Sequence, residues 1–250
     1  MFGRTILVLL LLWTQDLVHS LRLVHLRVPS YKREGGKALF TCQYDLQGDT
    51  LYSVKWYKDG REFYRYMPST HPSLFNFPVA GVNIDIGRST GNNVALVNLS
   101  QESSGNYSCE VNSEAPTFDT VIGHKYLDIY LLPKSGPRVE GLKDKYNLNE
   151  LVIANCTLPP SRPKAHLIWY INGRDAPDSF TSGPWYRVSA ERPDAAETIL
   201  QLNFNVTVFD INNGMLKLKC QALIPPMYHQ AVESTHYIAP SSEAQEIERR

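Results

Sequence analysis

Four cysteines, Cys42, Cys109, Cys156 and Cys220, constrain this 250-residue chain more than any other feature. An even number in an oxidising compartment permits three pairings. Spacing selects one of them, because Cys42 to Cys109 spans 67 residues, Cys156 to Cys220 spans 64, and each interval encloses a tryptophan. Trp56 and Trp169 follow their first cysteines at nearly the same offset. A rhythm that occurs twice predicts two domains of one kind, each closed by one disulfide.

The oxidising compartment is read from the N-terminus. Arg4 precedes an apolar run from Ile6 to Trp13, and Val18, His19 and Ser20 stand where a signal peptidase reads, so residues 1–20 are expected to be a signal peptide. That run is far shorter than the ~20 residues that span a bilayer. The end of the sequence, residues 241–250, is charged, where a lipid-anchor signal needs a hydrophobic tail. A secreted, extracellular protein is expected, with a longer anchored form as the alternative.

Cysteine, tryptophan and cysteine at this spacing are the mark of the immunoglobulin sandwich, whose disulfide joins strands B and F and whose strand C indole packs against it. Tyr107 stands two residues before Cys109, where a tyrosine hydroxyl caps the corner between strands E and F. Parity agrees: Phe40, Cys42 and Tyr44 share one strand face, as do Val54, Trp56 and Lys58, and Tyr107, Cys109 and Val111. In the second copy Leu151, Ile153, Cys156, Leu167 and Trp169 are expected to form the core, with Leu200, Leu202, Phe204, Val206 and Val208 alternating along one strand. Leu218 replaces the corner tyrosine there. The fold class is therefore all-β, two tandem immunoglobulin-like sandwiches. The first is variable-type because Glu62, Phe63, Tyr64, Arg65 and Tyr66 read as an added strand, and the second is constant-type or intermediate. The expected divisions are 21–131 for the first domain, 132–138 for a proline-bounded linker, 139–238 for the second domain and 239–250 for a polar tail.

The run Cys42-Gln43-Tyr44-Asp45-Leu46-Gln47-Gly48-Asp49-Thr50-Leu51-Tyr52-Ser53-Val54-Lys55-Trp56-Tyr57-Lys58-Asp59-Gly60 resembles the beaten path family of insect axon-guidance proteins. So do Glu62 to Tyr66, Pro78-Val79-Ala80-Gly81-Val82, Ser104-Gly105-Asn106-Tyr107-Ser108-Cys109-Glu110-Val111 and Glu114-Ala115-Pro116-Thr117-Phe118. The resemblance covers both domains and is densest in the first. It implies a neural recognition protein that binds immunoglobulin-superfamily transmembrane receptors of the sidestep family and acts in axon steering, defasciculation or synaptic partner choice.

The residues themselves suggest where a partner would bind. Lys55 and Tyr57 alternate outward around Trp56, Glu110 and Asn112 outward around Val111, and Phe63, Tyr64, Arg65 and Tyr66 supply aromatic and guanidinium groups on the added strand. Period 2 sends two of those last four inward. Phe118, in the loop bordering this face, is a candidate anchor. Tyrosine, phenylalanine and arginine are enriched at interfaces. Asn98, Asn106, Asn155 and Asn205 are N-glycosylation acceptors, each beside an inward-facing residue and so expected to face outward.

Other functions find less support. With 25 Lys+Arg against 25 Asp+Glu the chain lacks the footprint of a nucleic-acid binder, and the short basic stretch at residues 31–37 makes a glycosaminoglycan only a minor candidate. Gly87-Arg88-Ser89-Thr90-Gly91 matches a hydrolase elbow, but Val94, Ala95 and Leu96 follow as a strand where that motif needs a helix. No catalytic residues, metal ligands or cofactor are expected, and the chain reads as a non-enzyme. A homophilic or structural adhesion module is the alternative function.

Overall fold

The computed structural model describes residues 20–239, so the expected signal peptide and polar tail lie outside the described residues except for Ser20 and Ala239. The chain divides into two compact units between Ile129 and Tyr130.

The first unit is built from β1 (Arg22–Arg27), β2 (Tyr31–Arg33), β3 (Ala38–Asp45), β4 (Leu51–Lys58), β5 (Arg61–Tyr66), β6 (Leu74–Asn76), β7 (Asn93–Leu96), β8 (Gly105–Ser113) and β9 (Thr120–Tyr130). They form a three-stranded sheet, β1-β3-β7, and a six-stranded sheet, β2-β9-β8-β4-β5-β6. The strands β5 and β6 extend the second sheet beyond β4, which is the variable-type arrangement. Burial follows the pleat: along β8, Gly105, Tyr107, Cys109, Val111 and Ser113 are buried while the residues between them are not. Cys42 and Cys109 join the sheets through a disulfide, and Phe40 packs 5.5 Å from the Trp56 ring and 4.7 Å from Tyr107. The Tyr107 hydroxyl donates to the Ser103 carbonyl at 2.7 Å, fixing the turn that leads into β8. Trp56 is buried, and its Nε1 has no hydrogen-bond partner among the described residues.

The second unit contains β10 (Arg138–Glu140), β11 (Lys145–Tyr146), β12 (Leu151–Ser161), β13 (His166–Ile171), β14 (Arg174–Asp175), β15 (Thr181–Val188), β16 (Ala196–Asn205), β17 (Met215–Ile224) and β18 (Tyr228–Ile238). Its sheets are β10-β12-β16-β15 and β11-β18-β17-β13-β14. A short β14 beside a full β15 on the opposite sheet makes this unit intermediate rather than variable-type. Cys156 bonds to Cys220, and the Trp169 Nε1 donates to the Leu200 carbonyl at 3.1 Å. Leu218 fills the corner position as an apolar core residue.

Two expectations for this core are corrected. Leu151 and Ile153 are exposed, because the disulfide at Cys156 turns even-numbered residues inward and the core is made by Val152 and Ala154. Val208 is also exposed, since β16 ends at Asn205 and Val208 begins a 3-10 turn.

Candidate recognition face of the first unit

Strand register determines which side chains share the outer face of the six-stranded sheet. Lys55 pairs with Glu110 on one side and Arg65 on the other, Tyr57 with Ser108 and Glu62, and Ser53 with Asn112. Glu110 in turn lies opposite Ile122, Asn106 opposite Tyr126, and Arg65 opposite Phe75. Directly opposed residues in an antiparallel pair project to the same side. One continuous surface therefore runs from Phe75 through Arg65, Lys55 and Glu110 to Ile122.

Its centre is a connected polar network. Lys55 Nζ donates to Glu110 Oε1 at 2.8 Å, Asn112 Nδ2 donates to the same oxygen at 3.0 Å, and the Tyr57 hydroxyl donates to Oε2 at 3.2 Å. Thr120 holds Asn112 through its own hydroxyl, 2.8 Å from Oδ1. Burial pushes the Glu110 carboxyl up, but the hydrogen bonds from Lys55 and Asn112 outweigh it and hold the group below its ordinary value. The Tyr57 phenol is pushed up to about 12 by burial first and by the charges of Glu110 and Glu62 after it, so it remains a hydrogen-bond donor. The Lys55 and Glu110 side chains are only 21% and 18% exposed, so desolvation offsets much of the Coulombic gain of their ion pair and the net stabilisation is small. Its stronger effect here is to fix rotamers before any partner arrives, which lowers the ordering cost of binding.

The added strand carries a β-bulge that corrects the expectation for Phe63 and Tyr64. Trp56 pairs with Tyr64 but Tyr57 pairs with Glu62, leaving Phe63 as an extra residue. Both Phe63 and Tyr64 are consequently 0% exposed, Phe63 edge-on to Tyr107 and Tyr64 donating its hydroxyl to the Thr90 carbonyl. Neither can contact a partner. The same bulge brings Glu62 and Arg65 to one side, although an i,i+3 pair in a regular strand faces opposite ways. Arg65 makes a bidentate pair to the Glu62 carboxylate at 2.6 and 2.8 Å, and its guanidinium carbon lies 5.6 Å from the Phe77 ring. Tyr66 is half-buried against the core.

At the border, Phe118 is 70% exposed while its backbone is held by a hydrogen bond to the Glu114 carbonyl, with Thr117 tied to Asp49 beside it. Ile122 and Tyr126 on β9 are also exposed and were missed in the sequence. Counting back by twos from Asp128, between the buried Leu127 and Ile129, puts Tyr126, His124 and Ile122 outside, so that signal was present. Phe75 and Phe77 had no such signal, because β6 is only three residues long.

Asn106 is exposed on this face opposite Tyr126, while Asn98 is exposed in a turn at a φ of 49°. Asn155 is half-buried and Asn205 exposed, both in the second unit. Ser89 of the elbow-like motif is a buried turn residue whose hydroxyl donates to the Asp85 carbonyl and accepts from the Ala95 amide. Among the described residues no group of three or more His, Cys, Asp or Glu could hold a metal, and no helix is long and apolar enough to cross a membrane.

Residues 28–118 match the immunoglobulin domain family. Both units are immunoglobulin folds. Solved structures that share the architecture include murine CEACAM1b, with 14% identity and a TM-score of 0.58 over 88% of this chain and 99% of that one. Rst D1-D2 gives 11% identity and a TM-score of 0.54 over 88% and 100%. The crystal structure of a mouse coronavirus receptor-binding domain complexed with its murine receptor contains a chain with 13% identity and a TM-score of 0.52 over 88% of this chain and 99% of that one. No curated protein matches the sequence. At these identities the shared property is the fold, one that typically serves as a non-enzymatic binding module, and the disulfides fit an extracellular setting.

Proposed function

We propose that this chain is an extracellular recognition protein whose first immunoglobulin domain binds a protein partner through the outer face of its six-stranded sheet. One observation carries the reading: a pre-ordered Lys55–Glu110–Tyr57 network flanked by Arg65 on one side and exposed Ile122 and Tyr126 on the other. Polar groups with fixed geometry beside aromatic and aliphatic anchors are the composition of a specific interface. The resemblance of residues 42–66 to the beaten path family supports immunoglobulin-type receptors of the sidestep class as the partner, and axon adhesion, guidance or synaptic partner choice as the setting.

The test is surface plasmon resonance of the secreted protein against sidestep-type ectodomains, with Tyr57→Ala and Arg65→Ala compared with Leu39→Ser on the opposite sheet. Each face substitution is expected to weaken binding at least about tenfold, equal to ~1.4 kcal/mol, and Leu39→Ser to leave it unchanged. Unchanged affinity for both face variants would move the site elsewhere. A second reading, self-association through this same face, is favoured by its mixed charges, since Lys55 and Arg65 alternate with Glu110 and Glu62 and could meet their opposites across a two-fold axis. Sedimentation that shows a dimer lost on Arg65→Ala, with no sidestep-type binding, would select it.

A further inference from the structure

The outer face of the sheet β10-β12-β16-β15 in the second unit presents an apolar pair where a soluble sandwich normally places polar residues. Leu151 and Ile153 are 47% and 44% exposed on β12. Register puts Leu151 directly opposite Asn205, Ile153 opposite Asn203, and Asn155 opposite Gln201. Two of those asparagines, Asn205 in Asn205-Val206-Thr207 and Asn155 in Asn155-Cys156-Thr157, are glycosylation acceptors. They bracket the apolar pair, one across the ladder and one further along the same strand.

We infer that N-linked glycans on Asn205 and Asn155 lie over Leu151 and Ile153 and remove this face from protein contact. The inference rests on the extracellular reading above, because only a chain in the secretory route meets the donor. In the transfer, Asn Nδ2 attacks C1 of an oligosaccharide carried on a lipid pyrophosphate. The N–C1 bond forms, the C1–O bond breaks, the lipid pyrophosphate leaves with the electron pair, and the amide loses one proton. Asn205 is exposed, and its neighbour Val206 is buried, so the side chain that would be modified faces out. At Asn155 the Gln201 amide donates to Oδ1 at 3.0 Å, which leaves Nδ2 as the atom to carry sugar. A cross-strand neighbour lies ~5 Å away, within reach of the apolar face of a first N-acetylglucosamine. On the first unit's recognition face the only acceptor among the residues described above is Asn106, beside Tyr126, so the centre around Lys55 and Glu110 stays open.

The experiment uses the chain secreted from eukaryotic cells. Intact mass and peptide mapping before and after peptide N-glycosidase are expected to show sugar on Asn205 and Asn155. Deglycosylating the folded protein, which avoids any folding defect of a variant, is expected to raise 1-anilinonaphthalene-8-sulfonate fluorescence or weight-average mass in light scattering at least about twofold. The Asn155→Gln/Asn205→Gln protein should behave alike, and adding Leu151→Ser with Ile153→Thr should return it to the glycosylated value. An unmodified Asn205, or a deglycosylated protein with unchanged fluorescence and mass, overturns the inference. Those readouts are independent of the Tyr57 and Arg65 binding data, so a failure of this inference is distinguishable from a failure of the recognition reading.

Discussion

Phe63 separates a core residue from a contact residue, and replacing it measures the β-bulge directly. Its side chain is 0% exposed and its ring meets Tyr107 edge-on at 5.8 Å and 86°. Phe63→Ala should cost about 3–5 kcal/mol in lost transfer energy and cavity formation, of which ~1 kcal/mol is the ring pair. A domain is typically stable by ~5–15 kcal/mol, so the variant folds but with little reserve. For a urea dependence of ~2 kcal/mol/M the first domain's midpoint should fall by roughly 2 M. Equilibrium urea unfolding followed by intrinsic fluorescence reads this, with Leu39→Ser, 52% exposed on the opposite sheet, as the surface control expected to move the midpoint by less than ~0.5 M. Phe63→Leu keeps an apolar group in the site and should bind partner within about threefold of the parent, a change under ~0.7 kcal/mol. A Phe63→Ala midpoint within ~0.5 M of the parent, together with lost binding by Phe63→Leu, would refute the bulge and return Phe63 to the surface.

Other outcomes are expected in the first domain. Tyr107→Phe removes the 2.7 Å bond to the Ser103 carbonyl and leaves a buried acceptor unpaired, which should cost ~1–3 kcal/mol by the same unfolding assay. Gly81→Ala should prevent recovery of folded protein or lower its melting temperature sharply, because φ is +75° and an added Cβ would lie 2.2 Å from the Glu102 carbonyl group; a normal melting curve would contradict the geometry. Since the folded Glu110 is held below its ordinary value of 4.5, its contribution is complete above that pH and is lost as pH falls through the lowered folded value. Melting temperature measured from pH 6 to 3 should therefore drop at the acid end, and Glu110→Gln should flatten that drop.

The sandwich was legible because its signals are local and periodic. Paired cysteines, the enclosed tryptophans and Tyr107 specify the core, and strict alternation specifies which side of β3 and β8 it lies on. The candidate recognition face was legible only on the regular strands, where Lys55, Tyr57, Glu110 and Asn112 occupy alternate positions. At β5 the period-2 assumption failed, since one extra residue changes the side that each neighbour faces and nothing in Glu62 to Tyr66 marks it. At β12 a different error arose: hydrophobicity put Leu151 and Ile153 inside, whereas counting from Cys156 would have put them outside. A disulfide is the more reliable origin for parity because its sulfur must lie between the sheets.

The two core tryptophans differ in a way that equips each domain with its own optical signal. Both pack in a disulfide-stapled core, but the Trp169 indole donates a hydrogen bond to a carbonyl and the Trp56 indole has no partner among the described residues. An unbonded, dry indole emits at shorter wavelength than a bonded one, and a nearby disulfide quenches both. On unfolding, Trp56 should undergo the larger red shift and Trp169 the smaller, while Trp185, already 49% exposed on β15, should shift little, so loss of the blue edge of the emission reports melting of the first domain in the native chain without adding a dye.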